Sequence, residues 1–163
     1  MSRTVAGGPR ATVAAHGLQV TLPERWEARL YRRDAAAGSA GESNKPVLHL
    51  GNFALPPGRG DFGTGAVEKM SPAHAFVALL EYDREQAGRP LFAAPSRPVL
   101  GLRDFAPNAL QRRLPGQLGC QRFFTENGRP FCLYVVLGSR GHAKTLLAEV
   151  HDVLADLKVV TDP

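Results

Sequence analysis

Signatures of catalysis and nucleotide binding are missing from this chain. It contains no GxSxG elbow and no P-loop, and no GxGxxG is expected to open a helix. These absences remove the usual sequence marks of a serine hydrolase, a nucleoside triphosphatase and a dinucleotide-dependent enzyme. Cysteine is scarce, with two residues, and neither CxxC nor HxxxH occurs. Zinc sites draw on several close Cys or His ligands, so no metal and no cofactor is expected. Uninterrupted apolar runs never approach the roughly 18 residues of a membrane helix. The opening stretch MSRTVAGGPRATVAAHG has no apolar core of the kind a signal peptide carries, and no cysteine to lipidate. A cytoplasmic location without membrane insertion is the expectation.

Lysine is scarce too. Arg supplies 16 of the 20 basic residues. The net charge of +5 and pI near 9.7 are basic, but the charge is scattered. Its densest groups are the pairs Arg32-Arg33 and Arg112-Arg113. Nucleic-acid binders gather charge on one face or helix, so no nucleic-acid partner is expected. The Arg, Ala and Gly content matches a high-GC bacterial composition.

What is present is an ordinary globular composition. Of the 163 residues, 44% are hydrophobic and 21% charged. One domain over residues 11–163 follows a frayed tail at 1–10. A chain of this size buries enough surface to fold without staples. Strand periodicity comes first: Leu18, Val20 and Leu22 alternate with polar residues, as do Trp26, Ala28 and Leu30. A mobile loop is expected at 34–46. Extended structure resumes at Pro46, with Val47, His49 and Phe53 on one face. The Gly/Pro-rich stretch Pro56–Gly65 reads as a second loop, and SPAHA at 71–75 carries helical turn signals. Phe76–Tyr82 is a continuous apolar run of strand length, which implies cover on both faces. Residues 83–107 hold short elements at most, and 108–115 a short edge strand. The stripe Leu146, Leu147, Val150, Val153, Leu154 and Leu157 predicts a long amphipathic helix at the C-terminal end. The expected fold is α+β: a single-domain α/β/α sandwich with a largely antiparallel sheet of about six or seven strands. One helix cannot cover both faces of that sheet. The middle region must therefore supply a second layer of short helices or packed loops.

The two cysteines flank Asn127-Gly128, the strongest short hairpin signal. A two-residue turn there sets Glu126 opposite Arg129, Phe123 opposite Cys132 and Cys120 opposite Val135. The thiols then point to opposite faces and cannot bridge. Both are expected to be buried packing residues.

Few side chains remain as site candidates. His142 and His151 lie on opposite sides of the helix and cannot share a ligand. His49 is expected to be a buried, hydrogen-bonded histidine. Glu81 ends an apolar strand and is expected to pair with an arginine. If a pocket lies beside the sheet, these two are its candidates. Arg59, Asp61 and Phe62, in the second loop, and Arg112 and Arg113 are candidates for contact with a partner.

The stretch HGLQVTLPERWEARLYRR, residues 16–33, resembles the N-terminal hairpin of the Mog1/PsbP-like domain family. Its motif is the short GLQVTLPERW. The late hairpin and the closing helix follow the family's order of elements. The resemblance implies an α/β/α sandwich that binds protein partners and has no shared catalytic residues. The leading expectation is a non-enzymatic cytoplasmic adaptor or chaperone-like domain. It would present a sheet face or the loops at 56–65 and 83–107 to a protein partner. The alternatives are a small enzyme or ligand-binding protein, and an accessory subunit of a larger assembly.

Overall fold

The two-residue turn at Asn127-Gly128 forms as the sequence implies, with φ of 53° and 76°. It joins β7 (Leu118–Glu126) to β8 (Arg129–Leu137) in the expected register: Glu126 opposite Arg129, Phe123 opposite Cys132, Cys120 opposite Val135. Strand β8 is buried along its whole length, so it lies inside a sheet rather than at its rim. The computed structural model describes residues 3–5, 10–33, 44–57 and 60–161.

Around β8 stands a six-stranded antiparallel sheet. Its members are β1 (Arg3–Val5), β4 (Glu27–Arg32), β5 (Pro46–Gly51), β6 (Ala75–Glu81), β8 and β7, in that spatial order. A second antiparallel sheet holds β2 (Thr12–Ala15), β3 (Leu18–Thr21) and β9 (Lys158–Val159). Here the two ends of the chain meet, since Leu18 pairs with Val159. Arg3–Val5, expected within a frayed tail, is an edge strand paired with β4.

The α/β/α sandwich with a long closing helix is overturned. The chain is mostly sheet, in two antiparallel sheets, with one α-helix, α1 (Ala143–Ala155), of 13 residues. Five single 3-10 turns are the remaining helical structure among the described residues. The physical reason is composition. Proline and glycine interrupt the chain between residues 84 and 116 so often that no turn there propagates. SPAHA forms a single hydrogen-bonded turn at 71–74 that does not propagate into a helix, and 108–115 holds the end of a 3-10 turn, Pro107–Ala109, instead of an edge strand. In place of that strand, Ala106 and Gly119 exchange backbone hydrogen bonds at the edge of β7.

Both faces of the large sheet are nevertheless covered. Leu48, Leu50, Val77, Leu79, Leu133 and Val135 face the small sheet and α1, together with Trp26 and the buried stripe of the helix. On the opposite face, Val47, Phe76, Ala78, Leu80, Tyr134 and Val136 lie under Phe53, Phe62, Ala66, Val67 and Leu114. That second cover is packed loop, not helix. Continuous apolar strands demand two covers, but any apolar segment satisfies the demand. The cysteines divide between the faces, Cys120 to the first and Cys132 to the second. Burial raises both thiol pKa values, that of Cys132 to about 12, so neither is a ready nucleophile.

Where β8 leaves the sheet, Gly138 passes beneath the 71–74 turn. Its N–H donates to the His74 carbonyl at 2.8 Å. A Cβ there would meet the carbonyl oxygens of Pro72 and His74 at 2.9 Å, and these are backbone atoms that cannot swing aside. Gly138→Ala is expected to cost about 3 kcal/mol, the upper range for forced overpacking. A urea titration would check it. A loss below about 1 kcal/mol would mean the turn yields.

Candidate functional site

The buried polar side chains Glu81, Arg129 and His49 are committed internally. Glu81 is bound by Arg129, with Nε and Nη2 on its carboxylate at 2.6 to 3.1 Å. The same guanidinium donates to the carbonyls of Gly17, Val160 and His16 at 2.9 to 3.0 Å. One arginine thereby joins the large sheet to the turn and the C-terminal segment of the small one. Glu126, the expected cross-strand partner of Arg129, pairs instead with Arg97 at 3.2 Å. His49, also buried, donates Nε2–H to the Asp61 carbonyl at 2.8 Å and meets the rings of Tyr31 and Phe76 at their edges. Desolvation holds its imidazole down at a pKa of about 4. Around His49 and the neighbouring loop there is room for about 10 Å³, one water at most. Glu81 and His49 also face opposite sides of the sheet, so no single pocket holds both.

The candidate contact residues are spread differently. Arg59 lies outside the described residues. Asp61 turns inward: its carboxylate accepts from the Tyr31 hydroxyl at 2.6 Å and lies 3.9 Å from the Arg33 guanidinium. Phe62 is half-buried, edge-on to Tyr134. Arg112 is exposed and pairs with Glu68 at 3.0 Å, and Arg113 is exposed beside it. The glycines at 58, 60 and 63 do stand at GxGxxG spacing, but no α-helix follows them, only the turn Val67–Lys69. The helical N-terminus that makes that motif a phosphate cradle is missing.

A wider concavity lies elsewhere, on the side of α1. Residues 96–100 run along the last turns of the helix and leave an open groove of about 450 Å³. Pro98, Val99, Leu100, Leu154 and Ala155 give it an apolar lining, with Arg97, Glu126 and His151 at its polar parts. Arg97 fixes the geometry. It binds Glu126 and donates to the carbonyls of Leu154 and Leu157 at 2.7 and 3.0 Å, closing the end of α1. His151 Nε2 bonds the Leu100 carbonyl at 2.7 Å. These polar groups are therefore spent on building the groove. What faces outward is hydrocarbon, above all Val99, which is 89% exposed. Of the four large hydrophobics that stand exposed among the described residues, Leu91, Val99 and Leu102 belong to the stretch 83–107, and of these Val99 lines the groove. The stretch 83–107 was expected to present itself to a partner, but its key residues were not singled out. Their signal is PSRPVL, an aliphatic pair directly after two closely spaced prolines, with no periodic place in any element.

Among the described residues no three His, Cys, Asp or Glu side chains converge as metal ligands. No helix among them is long and apolar enough to cross a membrane. No protein-family model matches the chain, and no curated protein or solved structure matches it either.

Proposed function

We propose that this protein is a non-enzymatic binding or adaptor domain that docks a protein partner in the groove between residues 96–100 and α1. The observation that carries the reading is Val99, a branched aliphatic side chain held almost fully in water beside an apolar groove. Among the described residues the other exposed large hydrophobics, Leu91, Leu102 and Val160, all keep more of their surface covered than Val99 does. An exposed aliphatic segment edging a groove is the usual mark of a contact surface. The polar groups of the groove are already paired, so a partner gains by burying hydrocarbon rather than by exchanging hydrogen bonds. The resemblance of residues 16–33 to the Mog1/PsbP-like hairpin supports the same class. Two unpaired buried thiols suit a reducing compartment, consistent with the cytoplasm.

Affinity capture with tagged wild type and Val99→Asp, run side by side, tests the reading. The variant is expected to keep the wild-type melting temperature, since a surface change away from special features costs within about 0.5 kcal/mol. It is expected to lose at least about tenfold of any specific partner, because a charge at the centre of an apolar contact is left desolvated. An identical set of captured proteins at identical yield would sink the groove as the docking site.

A further inference from the structure

A second cleft lies at the other end of α1, and unlike the groove it keeps some polar atoms without an internal partner. It has a volume of about 250 Å³ and is lined chiefly by Arg25, Asn52, His74, His142, Thr145 and Glu149. Hydrogen-bond accounting fixes the two imidazoles. His74 Nδ1 accepts the Ser71 N–H at 2.9 Å, so its proton sits on Nε2. Stacking on Phe53, with ring centroids 5.0 Å apart, holds the ring in place. Desolvation lowers its pKa, which keeps that neutral form. His142 is the reverse case. Ser139 gives its single hydroxyl proton to the Pro72 carbonyl at 2.9 Å. It therefore accepts from His142, and the His142 proton sits on Nδ1, 2.9 Å away. A neutral His142 thus keeps a bare Nε2. One imidazole has a donor left for a ligand and the other an acceptor.

The charges are as evenly divided. No hydrogen bond or ion pair to Arg25 or Glu149 occurs among the described residues, and none joins the two. The N-terminus of α1 lies on the His142 side and by itself favours an anion, so a cation on that side must be held by the Glu149 carboxylate, which lies beyond the first turn. The cleft therefore offers one cation, one anion, one fixed donor and one fixed acceptor.

We propose that this cleft binds a small zwitterion, a molecule of amino-acid size carrying both a carboxylate and a protonated amine. Arg25 and His74 Nε2–H hold the carboxylate, and Glu149 with His142 Nε2 takes the amine. This site is independent of the docking groove, and neither reading depends on the other.

The test is titration of the ¹⁵N-labelled protein near neutral pH with L-serine, acetate and ethanolamine, followed at the imidazole nitrogens. Before addition, His74 is expected as the Nε2–H tautomer and His142 as the Nδ1–H tautomer. Serine is expected to shift both rings saturably. Acetate and ethanolamine, each with half of the charge pattern, are expected to bind at least about tenfold more weakly, the worth of one charge-assisted hydrogen bond. Arg25→Ala and Glu149→Gln, both in accessible side chains, are expected to weaken serine by a similar factor. The opposite tautomer at either histidine, no saturable shift with serine, acetate binding as well as serine, or serine binding unchanged in both variants would each overturn the proposal.

Discussion

Arg129→Met is expected to remove about 3 to 5 kcal/mol of stability, the range for breaking a buried ion pair on one side. The argument rests on what is left behind. Glu81 is left without its partner in a site where 3% of it reaches water. The carbonyls of His16, Gly17 and Val160 lose their shared donor at the same time. Methionine fills the space of the arginine stem but supplies no N–H. A domain of ordinary stability holds about 5 to 15 kcal/mol in total, so this variant is near the limit of folding. Removing the charge as well, in Glu81→Leu with Arg129→Leu, is expected to recover part of the loss. It cannot recover all, because the three carbonyls stay unsatisfied. Guanidinium titrations of wild type and both variants check this. A single-variant loss below about 1 kcal/mol, or full recovery in the double variant, would show that the carbonyl bonds do not join the two sheets as described.

The second large effect is in acid. His49 is held neutral in the fold with a pKa of about 4, against 6.5 for a free histidine. The group is depressed, so the unfolded chain binds the proton first as pH falls. Stability from His49 is complete above pH 6.5 and is lost progressively down to about pH 4. Below that both states are protonated and the loss levels off. The amplitude is about 3 kcal/mol, at 1.36 kcal/mol per unit. His16 and His74 are lowered in the same direction by desolvation and deepen the fall. Asp104, depressed first by the Gly101 backbone N–H and then by Arg122, adds its own loss at lower pH. His49→Gln retains a donor for the Asp61 carbonyl without a titrating ring. Urea midpoints at several pH values between 7 and 4 are expected to fall steeply for wild type and much less for the variant. Parallel curves would locate the acid sensitivity elsewhere.

These effects show which parts of the molecule were legible in the sequence. The hairpin at 118–137 was fully readable, because Asn-Gly admits one turn and that turn dictates every cross-strand pair. Burial of β6 on both faces was readable from Phe76–Tyr82, because an unbroken apolar run has no wet side. The covering layer was not. Loops such as 52–74 have no period, and packing against Tyr134 or Phe76 leaves no mark that sequence spacing records. For the same reason the groove escaped notice. Arg97 looks like any surface arginine until the end of α1 and Glu126 are placed beside it. The ion pair of Glu81 was readable as a kind of interaction, but its partner Arg129 sits 48 positions away, and local pattern favoured Glu126 for that arginine instead. The architecture failed at one step. A helical stripe of six positions says that a helix exists and which face is buried, but not what fraction of the fold it makes up.

The meeting of Leu18 with Val159 also bears on the order in which the molecule assembles. Strands β7 and β8 pair through a two-residue turn and close the smallest loop, while β6 pairs with β8 across the whole of 82–128. The small sheet is different: β3 waits for β9, from the far end of the polypeptide. On a ribosome, the hairpin of β2 and β3 emerges before β9 and has no third strand until β9 follows. Closing so long a loop is slow relative to local pairing. The Arg129 bonds to Gly17 and Val160 then form late, as the step that locks the two sheets together. Mutations in that junction should therefore speed unfolding more than they slow folding.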